Sequence, residues 1–341
     1  MTEDLLKQIQ DWANSVPLIV LGSGASIPHG LPSMWRLGEH LKDSISFSNP
    51  DCQAQFETFK DKLNTLKDLE KTLLELNLQE DVWKRIVNET WKLINDHDLQ
   101  AYESIIADDN RFPLVTLTKH LLNSSKRKVT IVTTNYDRIA EYAAGLSSAM
   151  ICTGYCNNLI GQFSSSVYDN NYSRLNGYGG QVNIWKVHGS LDWFKTSSGL
   201  DIHLPLRHSI PDNCEASIVT PGLTKYYQTH IEPYRTILTQ ADREIEDANG
   251  YLCIGYGFND MHVHPKLVSQ IKKNKPIIVI TKELTDGTKK TIIDGKCTNY
   301  ILIEQANSSD TRMYLSTTPT PIVFSNVNYW SLEGFLNLIK S

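Results

Sequence analysis

The chain has 341 residues, 40% of them hydrophobic and 21% charged, which is typical of a folded globular protein and excludes extensive disorder. Its net charge of −5 and isoelectric point near 6.1 argue against a dedicated nucleic-acid binder, because phosphate contacts need a clustered basic surface. No apolar run approaches the roughly 20 residues of a membrane-spanning helix, so we expect no membrane segment.

The cysteines indicate neither a disulfide framework nor a four-thiolate zinc site, because they are scattered and no two form a close CxxC pair. They are Cys52, Cys152, Cys156, Cys214, Cys253 and Cys297. We therefore expect a cytoplasmic protein with reduced thiols and without zinc.

The first pattern that carries chemistry is a short apolar strand followed by small residues. Residues 16–21 form an almost unbroken apolar run, which predicts a strand buried on both faces of a parallel sheet. The segment GSGAS follows, and residues 34–41 predict a helix. A strand, a turn of small residues and a helix bind phosphate through free backbone N–H groups. The candidate phosphate-binding residues are Gly22, Ser23, Gly24, Ala25 and Ser26.

This segment does not complete a GxGxxG fingerprint, because Ile27 stands at the third glycine position. A tight turn after a strand is the alternative reading.

Residues 51–110 predict a helical insertion or cap. Apolar residues recur there at spacings of three and four, the mark of amphipathic helices. Trp83 and Trp91 within it fit either core packing or a subunit contact.

Two later strands each end in polar residues. Residues 129–133 predict a β-branched strand, which runs into Thr134-Asn135-Tyr136-Asp137 and a helix over 138–144. Residues 182–187 predict another strand, which ends at His188. Functional side chains are expected at the carboxyl ends of strands in an open α/β sheet. Alone, the Asn-Asp turn also fits a helix cap, and His188 also fits a core or loop histidine.

The rest of the chain completes an α/β pattern. Residues 145–180 predict a long, partly ordered excursion. Residues 251–254 and 276–280 predict two further apolar strands, and residues 320–339 a last strand and a closing helix. We therefore predict a Rossmann-like open parallel sheet flanked by helices, with the helical insertion, in a single domain over residues 1–341.

Together these motifs resemble the sirtuin family, the silent information regulator proteins. GSGAS followed by Gly30-Leu31-Pro32 is similar to the family's opening loop, TTNYD to its Asn-Asp segment, and VHGS to its His-Gly pair. The resemblance implies that NAD is the substrate and that His188 is the general base, which suits an imidazole with a reference pKa of about 6.5.

The resemblance also assigns roles to the remaining motif residues. It implies that Asn135 orients a ribose hydroxyl or a water, that Asp137 contacts the nicotinamide carboxamide, and that Thr134 stands where the family more often has Gln. The segment with Gly255, Gly257 and Asn259 resembles a late glycine motif of bacterial sirtuin-like proteins. Its glycines would let the adenosine half lie close to the backbone.

Two departures from the family separate this chain from the lysine deacylases. Between His188 and Cys253 the chain offers only Cys214 where the deacylases carry two CxxC pairs. Ser33-Met34-Trp35 also replaces the family's Asp-Phe-Arg.

We therefore predict an NAD glycohydrolase, a hydrolase that releases nicotinamide and ADP-ribose. The alternatives are an NAD-dependent protein deacylase and a non-catalytic NAD or ADP-ribose sensor. The resemblance extends to NAD-depleting effectors of bacterial anti-phage defence. It implies a homo-oligomer that is activated by its own assembly or by a partner, such as a ring-forming ATPase or a short argonaute-type protein.

Overall fold

The computed structural model describes residues 1–108, 112–156, 159–169, 171–220, 231–260 and 263–340. Among these residues, no helix is long and apolar enough to cross a bilayer.

Most of the helices lie between consecutive strands of the chain. They are α1 (Glu3–Asn14), α2 (Met34–Ser44), α3 (Pro50–Leu66), α4 (Leu69–Leu74), α5 (Glu80–Ala107), α6 (Pro113–Leu122), α7 (Ile139–Leu146), α8 (Tyr234–Asp247), α9 (Val263–Ile271), α10 (Asp286–Thr288) and α11 (Leu332–Lys340). The strands are β1 (Leu18–Leu21), β2 (Lys128–Thr133), β3 (Ala149–Cys152), β4 (Tyr155–Cys156), β5 (Gly161–Phe163), β6 (Gly180–Lys186), β7 (Gly189–Thr196), β8 (Asp201–His203), β9 (Cys214–Ile218), β10 (Tyr251–Ile254), β11 (Ile277–Ile280), β12 (Tyr300–Gln305), β13 (Thr311–Leu315) and β14 (Ile322–Phe324).

The main sheet has nine strands in the order β14-β13-β12-β11-β10-β1-β2-β6-β3. The seven strands from β12 to β3 are parallel, and β13 and β14 add an antiparallel edge. All four residues of β1 are buried at the centre, as an aliphatic strand between two helical layers requires. The predicted Rossmann-like α/β fold is confirmed.

The register places the carboxyl ends of the central strands side by side. Leu21 of β1 pairs with Ile254 of β10 and with Thr133 of β2, and Thr133 pairs with Lys186 of β6. The chain leaves β1 toward β2 on one side and reaches β10 on the other. Ligand crevices in open α/β sheets lie at such a reversal of strand order.

A second sheet was not predicted. It has five antiparallel strands in the order β4-β5-β8-β7-β9, of which β4 and β5 precede His188 in the sequence and β7 begins directly after it. The prediction of a long, partly ordered excursion over residues 145–180 was wrong in part, because β3, β4 and β5 lie within it. Residues 157–158 and 170 of that stretch lie outside the described residues.

Three helices, α3 to α5, occupy most of the predicted insertion; residues 109 and 110 lie outside the described part of the chain. Trp91 of α5 is 1% exposed, and its indole N–H donates to the Leu191 carbonyl at 2.9 Å. Trp91 therefore packs the insertion against β7. The assignment of residues 1–341 to one domain stays a prediction.

A buried ion pair joins α5 to the loop that precedes α7. The Arg138 guanidinium lies 2.6 Å from the Asp98 carboxylate, and the exposed fractions of the two side chains are 3% and 0%. Asp98 also accepts from the Arg138 backbone N–H at 2.7 Å, and the Asn95 side chain accepts from Arg138 at 2.9 Å. This network fixes the residue that directly follows Asp137.

A second ion pair, between His203 of β8 and Asp192 of β7, should make stability depend on pH. The two side chains meet at 2.9 Å. Burial alone would lower the pKa of His203, but the hydrogen bond and the charge of Asp192 outweigh it and raise that pKa. Stabilisation is then complete below the unfolded histidine pKa of about 6.5 and is lost as pH rises through the folded value.

We expect His203→Gln to lower the free energy of unfolding more at pH 6 than at pH 9, as measured by urea denaturation. His208→Gln is the control, because His208 is exposed. An equal cost of His203→Gln at both pH values would contradict the predicted linkage.

Candidate functional site

A crevice of about 440 Å³ runs along the carboxyl ends of the central parallel strands. Nearly all of the residues selected from the sequence line it. They are Gly22, Ser23, Gly24, Ser26, Thr134, Asn135, Asp137, His188, Gly255, Gly257 and Asn259. Ala25 belongs to the same loop without lining the crevice. The structure therefore brings together side chains from four strand ends, including Asn135 and His188.

The glycines of the first loop allow two loops to touch. A Cβ on Gly22 would lie 2.4 Å from the Gly255 carbonyl oxygen, and one on Gly24 would lie 2.8 Å from the Gly255 Cα. Gly255 itself has a φ of +58°, where a side chain is strained. These positions need glycine for loop packing.

The expected free N–H groups of this loop are mostly used within the protein. The Gly22 and Gly24 N–H groups donate to the carbonyls of Ile254 and Gly255, each at 3.1 Å. Those of Ala25 and Ser26 donate to Gly22 and Ser23 within the loop, each at 3.0 Å. These four backbone N–H groups are therefore not free in this structure, and the assignment of the loop to phosphate binding stays a prediction.

Asn135 is fixed by the loop it faces. Its side-chain amide donates to the Gly22 carbonyl at 2.9 Å and to the Ser26 hydroxyl at 3.1 Å. Both amide protons are thus engaged, and within the described residues no hydrogen bond reaches Oδ1. The group that Asn135 offers a ligand is an acceptor oxygen.

Asp137 both lines the crevice and caps a helix. Its Oδ1 accepts from the Ile139 N–H at 3.2 Å at the start of α7. Burial raises the pKa of Asp137, and the nearby Lys186 ammonium offsets the effect only in part. Asp137 therefore bonds to the first N–H of α7 from the position before the N-cap residue, Arg138, and also lines the crevice.

His188 is paired with a carboxylate that sequence reasoning missed. Its Nε2 lies 3.0 Å from the Asp260 Oδ2, and each side chain is 8% exposed. Asp260 Oδ1 accepts from the Val263 N–H at 2.9 Å, which fixes the carboxylate. A base that is oriented by a carboxylate is an arrangement that proteins use to activate a hydroxyl group or a water.

Gly189, directly after His188, is required by the turn into β7. Its φ is +85°, and a Cβ there would lie 2.0 Å from the Ser217 carbonyl oxygen. The His-Gly order of the sequence therefore has a steric cause. The signal for Asp260 was the acidic residue that closes GYGFND after β10.

The crevice has further walls that the sequence did not indicate. Glu70 of α4 and Ile94 of α5 bring the helical insertion to its rim. Beyond β11, Lys282, Glu283 and Thr285 also line the crevice. The Thr285 hydroxyl donates to the Gly257 carbonyl at 2.6 Å.

The sheet order defines a Rossmann-like α/β protein, and the crevice at its carboxyl edge lies at the reversal of strand order, where open α/β sheets bind ligands. Residues 129–293 match the SIR2_2 family model, described as a SIR2-like domain. The match covers slightly less than half of the chain and includes Asn135, His188, Gly255 and Asp260. No curated protein sequence matches the chain.

Several solved structures are similar to this chain. A Sir2 homologue in complex with NAD covers 89% of this chain and 88% of its own, at 16% identity and a TM-score of 0.42. A Sir2 homologue variant with ADP-ribose covers 84% and 88%, at 15% identity and a TM-score of 0.45. Sir2Tm bound to a propionylated peptide covers 82% and 88%, at 13% identity and a TM-score of 0.41.

A zinc module of the deacylase kind does not fit the residues present. All six cysteines are free thiols, and Cys214 lies alone on β9. Outside the gaps in the described chain, no group of three or more His, Cys, Asp or Glu side chains is placed to hold a metal ion.

Proposed function

We propose that the protein is an NAD glycohydrolase. The observation that carries the proposal is that the acceptor oxygen of Asn135 and the His188–Asp260 pair line one crevice with the glycine loop. The carboxamide of Asn135 and the imidazole of His188 are far apart in the sequence, and binding of a nucleotide alone requires neither group.

The size of the crevice suits a dinucleotide. Neighbouring strands lie about 4.8 Å apart, so the edge from β6 to β11 is roughly 19 Å long. The nicotinamide riboside would lie at the β6 and β2 end, beside His188 and Asn135. The pyrophosphate would cross near Ser23, and the adenosine would lie near Gly257 and Asn259.

The reaction needs one bond cleavage and one water. The N-glycosidic bond breaks and its electron pair returns to the pyridinium nitrogen, which leaves neutral nicotinamide and an oxocarbenium-like ribose. Water attacks the anomeric carbon and loses a proton to His188, whose positive charge is stabilised by Asp260. Asn135 Oδ1 holds the water or a ribose hydroxyl. The products are nicotinamide, ADP-ribose and one proton.

The predicted biological setting is an anti-phage effector that is triggered by assembly or by a partner. This part of the proposal is supported only by the resemblance of the sequence to NAD-depleting effectors, which is an argument from analogy. A partner that acts as the trigger should raise the rate of NAD hydrolysis when it is added to the purified chain.

We expect the protein to release nicotinamide from NAD without an acyl-lysine peptide, and Asn135→Ala to lower that rate. The measurement is nicotinamide release by chromatography, with and without the peptide and candidate partners, alongside NAD binding by calorimetry. A strict requirement for peptide would support the deacylase instead. NAD that is bound but left intact in every mixture would support the sensor.

A further inference from the structure

The crevice is continued by a second cavity of about 510 Å³ at its β11 end. Lys282 and Glu283 line both cavities. The remaining wall comes from the π-helical turn Lys289–Ile293, from the end of β12 and the turn after it, and from Arg312 of β13. The second cavity therefore begins where the proposed adenosine site ends.

The charges in this second cavity favour an anion. Its cations are Lys282, Lys289 and Arg312, and its acids are Glu283 and Glu304. Glu304 is already compensated, because its carboxylate accepts from Arg312 at 3.1 Å, from the Tyr314 hydroxyl at 2.9 Å and from the Leu284 N–H at 2.9 Å.

The two lysines remain available. Within the described residues, neither the Lys282 nor the Lys289 ammonium forms an ion pair. Glu283 and Lys282 are both exposed, so water screens both charges, whereas Lys289 is half-buried and is screened less. The cavity thus offers two uncommitted positive charges next to the adenosine ribose.

We propose that this cavity holds the 2′-phosphate of NADP and that the protein takes NADP in preference to NAD. The inference rests on the proposed function, since it places a dinucleotide in the crevice. A phosphate monoester carries a charge of about −1.5 to −2 at pH 7, which two lysines can balance. In Rossmann-type sites an acidic residue serves the ribose 2′-hydroxyl of NAD and a cation accommodates the 2′-phosphate of NADP. Here Lys282 and Lys289 supply the cations.

The test measures binding of adenosine 2′,5′-bisphosphate and of ADP by calorimetry, which needs no turnover. We expect the 2′-phosphorylated nucleotide to bind more tightly. We expect Lys289→Ala to weaken it about tenfold, the effect of losing one charge-assisted contact, while ADP binding stays unchanged. Lys290→Ala is the matched control, because Lys290 is an exposed neighbour that does not line the cavity.

The outcomes separate this proposal from the proposed function. Equal binding of the two nucleotides, or equal losses of both with Lys289→Ala, overturns the 2′-phosphate site and leaves NAD hydrolysis standing. Failure of both nucleotides to bind a protein that melts cooperatively overturns the dinucleotide crevice and the 2′-phosphate site together. If Lys289→Ala left the binding of adenosine 2′,5′-bisphosphate unchanged and Lys282→Ala weakened it, Lys282 alone would form the site. That result would overturn the proposal that the two lysines act together.

Discussion

Replacing His188 with alanine is expected to lower the rate of nicotinamide release by about 10²–10⁴-fold, the usual contribution of a positioned general base. NAD binding should persist, because the glycine loop and the adenosine end of the crevice are untouched. The measurement compares kcat for nicotinamide release with the Kd for NAD from calorimetry.

Asp260→Asn should lower kcat less than His188→Ala does. The amide can still accept from the Val263 N–H, but it cannot balance the charge of a protonated imidazole. Asp11→Asn, on an exposed face of α1, serves as the matched control. Wild-type kcat in both His188→Ala and Asp260→Asn would remove the proposed base from the mechanism.

Replacing Arg138 with methionine is expected to lower the free energy of unfolding by about 3–5 kcal/mol, because the buried Asp98 carboxylate would lose its counter-charge. Urea denaturation followed by circular dichroism gives this quantity.

Lys84→Met provides the comparison for Arg138→Met. Lys84 also forms ion pairs, with Glu80 at 2.8 Å and Glu215 at 3.1 Å, but its side chain is 50% exposed. Exposed pairs contribute about 0–1 kcal/mol, so this variant should unfold almost as the wild type does. Similar losses in the two variants would show that burial does not set the cost of breaking the Arg138 pair.

The parallel part of the main sheet could be predicted because its central strands appear in the sequence as runs of aliphatic residues. The runs over residues 16–21, 129–133 and 251–254 correspond to β1, β2 and β10, since strands covered on both faces consist mainly of apolar and β-branched residues. The second sheet could not be predicted in this way. Four of its five strands have only two to five residues, the sequences of its strands are mixed in composition, and pairing with distant strands rather than local preference fixes them.

Only those site residues that directly follow a strand could be predicted from the sequence. Asn135 and His188 follow β2 and β6, so the parallel register was bound to bring them near one another. Asp260 lies several residues beyond β10, and its contact with His188 depends on the path of a loop. The sequence did not indicate that the N–H groups of Gly22, Gly24, Ala25 and Ser26 are engaged, because a glycine pattern does not show which hydrogen bonds a loop makes.

The two amide protons of Asn135 tie the orientation of its oxygen to the shape of the glycine loop. A displacement of that loop would turn the carboxamide, so under the proposed function a change where the pyrophosphate is proposed to lie would reach the proposed point of hydrolysis. Loop substitutions should therefore disturb turnover even where affinity survives. One side chain would then link ligand binding to the reaction.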